Sequence, residues 1–579
     1  MLHDSDLVSI QEVRAKVEKA YAAFQKLRTY SQDQIDAIVE AMGAAGRANA
    51  KHLAELAVQE TGYGNVKDKI SKNLLNADLL PRTLRGMKTV GVLREIPEQK
   101  IVEMGVPVGV VAAILPTTNP TSTAIYKCII ALKAGNAVVV SPHPRAKACS
   151  CETARVLYEA AVSAGAPADC IQCIHNATLE GTDALMRHPR TSVILATGGH
   201  GIVKAAYSSG KPAYGVGPGN VPVLLDASAD LADAVAKVVA GKSFDYGTVC
   251  SSEQTLVVLD SQKAAALEQL KKNGAYLCSH AQSQALAKLL IAPNWRINPN
   301  CVGQAPEKIA RMAGFEAPSG VSILVVEIGG VGKEHPLSME KLSPVLSLLS
   351  VSTWEEQVRS CQAILKFGGL GHTCVIHSRD DVRTREYGMR MPAFRVLVNT
   401  PAPQGSTGIT TGVPPAMTLG CGAMAGNSTS DNVGPMHLVN VKRLAYVVRT
   451  VEEAFPESGV PAEVPGTVGA AVSRFLSQRG LGGAPPVTTA SLVDQFLAAR
   501  KKGGPAPEAP ADRGCALPAP PLQPAPAAEP IPVTDFVCEA DVRAALQKGQ
   551  KIYIGAKTIV TPAAREFAGQ HDILVLAQR

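Results

Sequence analysis

Hydrophobic positions in the first 60 residues recur at helical spacing, as Ala41, Ala45 and Ala48 illustrate. From about residue 105 the pattern changes, and short apolar runs alternate with amphipathic segments. It predicts strands at 109–115, 137–141, 170–174 and 191–197, and helices at 122–135 and 151–165. Such an alternation indicates a parallel sheet of the doubly wound type.

A second α/β block begins near residue 228. The pattern predicts a helix at 232–242 and strands at 254–259 and 323–328, and this rhythm continues to about residue 400. Near residue 440 the run LVNVKRLAYVV either rejoins the first sheet or forms an arm. We therefore expect one domain over 1–227, to which 430–455 returns as an arm or an added strand, and a second domain over 228–429.

The composition changes after residue 460. Ten prolines, mostly interleaved with alanine, lie between 503 and 533 and favour extended polyproline II. We interpret 456–533 as a Pro/Ala-rich linker that carries two short amphipathic helices, at 466–480 and 490–502. In the second helix Leu492, Val493, Phe496 and Leu497 form one apolar stripe. A small helix-plus-strand module is predicted over 534–579.

Composition limits the classes of protein that fit. Apolar residues make up 46% of the 579 residues and the net charge is only +7, so the chain can bury a large core and does not resemble a nucleic-acid binder. Neither a signal peptide nor a membrane-spanning run is evident. The thirteen cysteines are scattered, which favours a reduced cytosolic setting with free thiols. No pattern of metal ligands is evident, and we expect no metal site.

Three polar loops carry candidate chemistry. Cys250 lies in the turn-rich KSFDYGTVCSSEQ, Asn119 follows a predicted strand in LPTTNPTST, and the glycines of ATGGHG at 196–201 open a helix. The carboxyl ends of parallel strands are where doubly wound sheets bind ligands. Each loop alone also has an ordinary explanation: an inert structural cysteine, a turn asparagine before Pro120, and a tight connection.

The loops taken together resemble a known family. The motifs LPTTNPTST, ALKAGNAVVVSPHPRA, ATGG, FDYGTVCSSEQ, EKLSPVLSLL, GGLGHTCVIHS and GNSTSDNVGP resemble the aldehyde dehydrogenase superfamily over about residues 10–450. They are most similar to its coenzyme A-acylating members, including the ethanolamine- and propanediol-utilisation enzymes of bacterial microcompartments. The resemblance implies an α/β fold with a Rossmann-type cofactor domain, a second α/β catalytic domain and a partly disordered C-terminal extension.

The resemblance also assigns roles. Cys250 would be the nucleophile, and the Asn119 amide would stabilise the oxyanion together with the Cys250 backbone N–H. NAD and coenzyme A would be the cofactor and co-substrate. The residues expected to bind the dinucleotide are Pro116, Thr117, Ser141, His143, Thr197, Gly198, Gly199 and Glu340. His372 in GLGHT is either a base or a histidine held in a turn, and it is not included in the predicted site.

One departure from the family pattern matters for the reaction. Hydrolytic members carry a water-activating glutamate in a Glu-Leu-Gly-Gly motif, and here Val216 occupies the position of that glutamate. Valine cannot accept a proton, so water attack on an acyl-enzyme should be slow. A thiol such as coenzyme A is more nucleophilic near neutral pH and needs less help.

We therefore expect oxidation of a short-chain aldehyde, acetaldehyde or propanal, to acyl-CoA. The alternatives are a hydrolytic dehydrogenase and a non-catalytic scaffold between shell and cargo. The second amphipathic helix resembles the encapsulation peptides of microcompartment cargo, which implies partners among shell or cargo proteins through the C-terminal extension. The alternatives are that this helix packs back on its own domain, or that the helix at 466–480 plays the same part. We expect a cytoplasmic homodimer or homotetramer inside a bacterial microcompartment, and neither nucleic acid nor a membrane as partner.

Overall fold

The computed structural model describes the following parts of the chain: 4–456, 478, 534–561, 563–564, 568 and 573–576. Two compact units are present, Met1–Ser458 and Gly459–Arg579. The predicted helices at 466–480 and 490–502 lie outside the described residues, apart from residue 478.

The chain begins with a group of helices. These are α1 Ser5–Leu27, α2 Gln32–Ala48, α3 Ala50–Thr61, α4 Val66–Leu74 and α5 Leu80–Leu84. Helix α2 starts at a capping box between Ser31 and Gln34, which satisfies the free N–H groups of its first turn. An antiparallel hairpin follows, with β1 Gly91–Ile96 and β2 Ile101–Pro107.

The first large sheet has five parallel strands in the order β5-β4-β3-β6-β7. Its strands are β3 Val110–Ile114, β4 Ala137–Ser141, β5 Ile171–Cys173, β6 Thr191–Thr197 and β7 Ala213–Val216. The helices between them are α6 Pro120–Lys133, α7 Lys147–Ser163, α8 Leu179–Arg187 and α9 His200–Tyr207. Strand order reverses between β3 and β6, which creates a crevice at their carboxyl ends.

The second large sheet has seven parallel strands in the order β10-β11-β12-β9-β8-β13-β14. The strands are β8 Val221–Leu225, β9 Glu253–Leu259, β10 Ala275–Leu277, β11 Ile323–Glu327, β12 Val345–Val351, β13 Gly371–His377 and β14 Ala393–Val398. The helices are α10 Leu231–Ser243, α11 Asp260–Lys272, α12 His280–Leu290, α13 Pro306–Met312, α14 Trp354–Lys366, α15 Asp381–Arg390 and α16 Ala402–Ser406. The chain passes from one sheet to the other between Val216 and Val221, a few residues before the predicted boundary at 227.

The chain then returns to the first half of the unit. Strand β15, Val439–Ala445, pairs antiparallel with β2, and the sheet β1-β2-β15 stands apart from the five-stranded sheet. The run thus pairs with the β1–β2 hairpin and does not add a strand to the five-stranded sheet. The Tyr126 hydroxyl donates to the Val433 carbonyl and Asn136 Nδ2 donates to the Leu438 carbonyl at 2.9 Å, so buried polar groups fasten the returning segment. Helix α17, Val451–Ala454, follows.

The C-terminal unit contains a small parallel sheet in the order β16-β17-β18. Its strands are β16 Thr534–Val537, β17 Ile552–Val560 and β18 Leu574–Leu576, and a helix at Glu539–Gln547 connects the first two. Buried apolar side chains such as Val537, Val542 and Ile573 form its core.

One expectation about the cysteines is wrong. Cys151 of α7 and Cys173 at the end of β5 form a disulfide, because the packing of this helix on this strand places their Cα atoms 5.5 Å apart. Ten other cysteines of the described chain are free, Cys250 among them.

Searches of the described residues give two further findings. No helix there is both long and apolar enough to cross a membrane. No cluster of three histidine, cysteine, aspartate or glutamate side chains in the same part of the chain could hold a metal ion.

Candidate active site

A cavity of about 470 Å³ lies where the two large sheets face each other. Loops after the carboxyl ends of β3 and β6 line one side, through Asn119 and Thr197. Segments that precede the amino ends of β9 and β12 line the other side, through Cys250 and Glu340. The fold therefore brings together residues that are far apart in the sequence.

The structure gathers nearly all of the residues predicted for the site. Those that line the cavity are Cys250, Asn119, Pro116, Thr117, His143, Thr197, Gly198, Gly199 and Glu340. Ser141 does not line it. Its Oγ lies 3.0 Å from Oγ1 of Thr182, a residue of α8 that does line the cavity.

The Cys250 thiol has a basic neighbour. Its Sγ lies 3.3 Å from His372 Nε2, at the beginning of β13. Burial, and then the nearby Glu340 carboxyl, raise the pKa of Cys250 to about 12, so the resting form is the thiol. Burial, and then Arg395, lower the pKa of His372 to about 3, so the imidazole is neutral and has a free lone pair. The two groups form a neutral pair in which the histidine can take the thiol proton as the sulfur attacks.

Thr373 and Arg395 orient the histidine. His372 Nδ1 lies 2.9 Å from Thr373 Oγ1, and that hydroxyl also accepts from Arg395 Nε at 3.4 Å. In the tautomer that carries its proton on Nδ1, the imidazole donates to Thr373 and leaves Nε2 free to face Cys250. Arg395 is itself buried and donates to the Gly420 carbonyl at 2.6 Å, which fixes this arrangement.

The Asn119 amide is held from both ends. Its Oδ1 accepts from Lys72 Nζ at 2.5 Å, and its Nδ2 donates to Thr118 Oγ1 at 3.0 Å and to the Thr248 carbonyl at 3.4 Å. Since an ammonium group can only donate, the oxygen end must face Lys72. The amide donor is therefore directed toward the loop that carries Cys250.

Glu340 is linked to the backbone beside the nucleophile. Its Oε1 accepts from the Gly219 N–H at 3.1 Å, and burial raises its pKa to about 7. A side chain at Gly219 would not fit, because a Cβ there would lie 2.0 Å from the Cys250 carbonyl oxygen. This close approach brings Glu340, the turn before β8 and Cys250 into one packed group.

The wall of the cavity also contains Val216, Gly217 and Pro218. Val216 is buried and occupies the position at which the resemblance places a glutamate in hydrolytic relatives. Its side chain has no carboxylate. Glu340 is the sole carboxylate among the described residues that line the cavity.

The carboxyl edge of β3 and β6 has the features of a nucleotide cleft. Gly198 and Gly199 precede α9, and the N-cap Gly199 makes no side-chain capping bond to the backbone N–H groups at the start of this helix. Apart from the two neighbours in the chain, no atom of the described residues lies within 4 Å of a Cβ built on Gly199, whereas one on Gly198 would meet Ile202 at 2.6 Å. Open backbone at a helix start beside a crevice suits a pyrophosphate, and the residues present fit NAD.

Sequence reasoning missed some residues of the site. His372 was considered and set aside, because only the fold places it against Cys250. Lys72 and Asp245 were not considered, although the spacing of Lys69 and Lys72 on one helical face and the FDYG turn were available as signals. The contribution of Met417, from the returning segment, had no sequence signal.

Comparisons with known proteins agree with this architecture. The profile of the Aldehyde dehydrogenase family matches residues 4–284. The bifunctional aldehyde-alcohol dehydrogenase AdhE of Escherichia coli (strain K12) is 41% identical over 444 residues, covering 76% of this chain and 50% of that protein. The chain thus spans about half the length of this relative. The succinate-semialdehyde dehydrogenase (acetylating) of Clostridium kluyveri is 37% identical, covering 76% of this chain and 96% of that one.

Solved structures are similar as well. An acetylating aldehyde dehydrogenase from Geobacillus thermoglucosidasius has 50% identity and a TM-score of 0.77, over 78% of this chain and 99% of that chain. A propionaldehyde dehydrogenase from the fucose utilisation microcompartment of Clostridium phytofermentans has 29% identity and a TM-score of 0.68, over 75% of this chain and 97% of that chain. A propionaldehyde dehydrogenase from Rhodopseudomonas palustris with bound propionyl-CoA has 27% identity and a TM-score of 0.67, over 75% of this chain and 94% of that chain.

The class of protein is defined by two parallel sheets, one with a nucleotide crevice at the carboxyl ends of its strands and the other with a thiol just before the amino end of its strand β9. The chain belongs to the aldehyde dehydrogenase family. The α/β fold and the family resemblance expected from the sequence are confirmed.

Proposed function

We propose that the chain oxidises a short-chain aldehyde to acyl-CoA with NAD+ and coenzyme A, through a thioester on Cys250. The observation that carries this proposal is the composition of the cavity around the nucleophile. Cys250 has a base, His372, at 3.3 Å, and Val216 lines the same cavity where a water-activating glutamate would stand. The site can thus form an acyl-enzyme and lacks the group that would hydrolyse it quickly.

The predicted cofactor residues would hold NAD+ in the crevice between β3 and β6. Backbone at Pro116, Thr117, Gly198 and Gly199 would approach the dinucleotide, with Thr197 beside it. His143 and Ser141 would lie toward the adenosine end, Ser141 acting through Thr182, and Glu340 would accept a hydrogen bond from a ribose hydroxyl. When bound, NAD+ supplies the hydride acceptor.

The first half-reaction uses three side chains. His372 accepts the thiol proton while the Cys250 sulfur forms a bond to the aldehyde carbon. The negative charge that develops on the aldehyde oxygen is stabilised by the Asn119 amide and the Cys250 backbone N–H, an effect typically worth about 3 kcal/mol for each donor. Loss of hydride from this adduct leaves a thioester on Cys250.

The second half-reaction transfers the acyl group. The thiol of coenzyme A adds to the thioester carbonyl, and the Cys250 sulfur leaves. A base must accept the coenzyme A proton, and His372 is placed for this because it has returned to its neutral form once its first proton has gone to solvent. Water is the weaker nucleophile and finds no carboxylate at position 216 to activate it.

We further propose that the chain is microcompartment cargo and that shell or cargo proteins bind its C-terminal extension. A structural relative comes from a fucose utilisation microcompartment, which supports this context. The small module at 534–579 is attached beyond the linker and is a second candidate for docking. We also propose a homodimer or homotetramer, and the domain limits 1–227, 228–429, 456–533 and 534–579 stay predictions.

The test of the reaction is steady-state kinetics on aldehydes of about two to five carbons, with NAD+ and with or without coenzyme A. We expect sustained NADH formation only with coenzyme A, ping-pong kinetics, and no acyl-CoA from Cys250→Ala. Equal NADH turnover without coenzyme A would show hydrolysis instead and would refute the proposal. For the cargo proposal, the full chain and a chain ending at residue 456 would be compared for co-purification with shell particles, and we expect only the full chain to co-purify.

A further inference from the structure

A buried group of charges behind Asn119 has no part in the chemistry proposed above. It consists of Lys69, Lys72 and Asp245, whose side chains are 2%, 3% and 0% exposed. Charged side chains are seldom buried to this extent unless they are paired, and removing one partner is usually costly. The position of the group, between helix α4 and the loop that carries the nucleophile, suggests a role in catalysis.

The local sequence places these three residues together. Lys69 and Lys72 are three residues apart on α4 and so share one face. Asp245 lies in the turn that precedes Cys250, with φ of +48°, and Tyr246 after it has φ of +53°. Two consecutive non-glycine residues in the left-handed region are rare and persist only where the surroundings hold them. The two ammonium groups on Asp245 contribute to that hold, together with its bonds to Asn65, Asp68 and Thr248.

The two lysines bind different groups. Both donate to Asp245 Oδ2, Lys69 at 3.1 Å. Lys69 also donates to the Thr118 carbonyl at 3.1 Å, whereas Lys72 donates to Asn119 Oδ1 at 2.5 Å. Only Lys72 therefore touches the amide that faces the reaction.

The contact has two physical effects on Asn119. It removes the freedom of the amide to flip, because the oxygen end must meet the ammonium group. It also polarises the amide, since a cation on the oxygen strengthens the hydrogen bond that the nitrogen donates. Both effects act where negative charge develops on the substrate.

We infer that Lys72 is a positioning residue for the oxyanion: it fixes the amide of Asn119 and strengthens the bond that this amide donates to the alkoxide. The inference rests on the proposed function, because it assumes that the Cys250 adduct with the aldehyde forms.

The charge of Lys72 can be titrated in a useful range. Burial lowers the pKa of Lys72 to about 8, with Asp245 and Asp68 opposing this and Lys69 adding to it. The group is charged at neutral pH and loses its proton as the pH rises through this value. The rate of acyl-enzyme formation in the unmodified protein should therefore fall above about pH 8.

The experiment compares Lys72→Met with the matched control Lys69→Met. Each variant removes one ammonium group from the same buried cluster and leaves Asp245 with the other ammonium group as well as its bonds from Asn65 and Thr248, but only the first loses the bond to Asn119. The rate of the first NADH turnover, measured with saturating NAD+ and aldehyde, should drop about tenfold or more in Lys72→Met relative to Lys69→Met, with KM for the aldehyde within about threefold.

Lys72→Arg provides the second readout. Arginine keeps its charge at all accessible pH values, so this variant should recover part of the rate and should lose the fall above about pH 8. If Lys72→Met does not fold, the pH profile of Lys72→Arg decides. Equal first-turnover rates in the two methionine variants, or an unchanged high-pH fall in Lys72→Arg, would overturn the inference. Failure of the unmodified protein to form acyl-CoA would instead refute the proposed function.

Discussion

Replacement of His372 by asparagine tests the pairing of thiol and imidazole. His372 Nε2 lies 3.3 Å from Cys250 Sγ, and the raised pKa of Cys250, about 12, sets the scale of the effect. At about pH 8 a thiol with this pKa is ionised in only about one molecule in ten thousand. Without the imidazole, attack on the aldehyde must draw on that fraction, so the loss can reach about 10⁴-fold, or about 5 kcal/mol in activation free energy.

The first turnover of NADH in a stopped-flow experiment measures this step. We expect His372→Asn to be slower than the unmodified protein by about 10²- to 10⁴-fold near pH 8. The ratio of the two rates should shrink about tenfold for each unit by which the pH rises, because hydroxide then forms the thiolate that the histidine no longer provides. The comparison uses the ratio of the first-turnover rates of the two proteins, because the titration of other groups changes both rates alike.

His377→Asn is the matched control. His377 is also buried and lies on the same strand β13, but it stands at the end of the strand, whereas His372 stands at the beginning, beside Cys250. We expect a first-turnover rate close to that of the unmodified protein. A rate for His372→Asn within about threefold of this control, with the same pH dependence, would show that His372 is structural and that another group takes the thiol proton.

Three further predictions concern other residues. Val216→Glu should give steady NADH formation without coenzyme A, at least about tenfold above the unmodified protein, and an unchanged rate would mean that position 216 does not govern water attack. Glu340→Gln removes a negative charge that raises the pKa of Cys250, so iodoacetamide should alkylate Cys250 about threefold faster or more near pH 8. Below about pH 6 the variant and the unmodified protein should react at the same rate, because the Glu340 carboxyl, with a pKa of about 7, is then neutral. Burial opposes the shift, but the backbone N–H groups of His175 and Asn176 and the Lys16 ammonium group lower the pKa of Glu12 to about 2. Glu12→Gln should therefore lose about 1–2 kcal/mol in urea unfolding at neutral pH, less than the full shift because solvent screens the partly exposed carboxylate, and the difference should diminish as the pH falls from about 5 toward 2.

Much of the fold could be predicted because buried parallel strands produce apolar runs that stand out. The expected strands at 109–115 and 191–197 correspond to β3 and β6 within one or two residues. The buried face of a helix was harder to predict from the sequence. The alanines at 41, 45 and 48 share a helical period, but α2 buries Ile35, Ile38, Val39 and Met42 instead, because α2 packs by its larger side chains.

The candidate site could be predicted where a residue belongs to a recognisable motif and not where the fold alone creates the contact. Cys250 and Asn119 stand in such motifs. His372 reaches the sulfur only because β13 starts beside the turn at Gly219, and Lys72 reaches Asn119 only because α4 packs against the loop before β9. Tertiary contacts of this kind leave no local pattern in a single sequence.

The return of the chain to the hairpin has a consequence for biosynthesis. The five-stranded sheet comes from residues 110–216 and the seven-stranded sheet from residues 221–398, so each can assemble in turn as the nascent chain leaves the ribosome. The cavity also needs Met417 and Leu419, and the segment that bears them is fastened by β15, at residues 439–445. A ribosome-bound chain would thus hold both sheets before it held a closed reaction chamber, and catalytic competence would be acquired at the last step of synthesis of this unit.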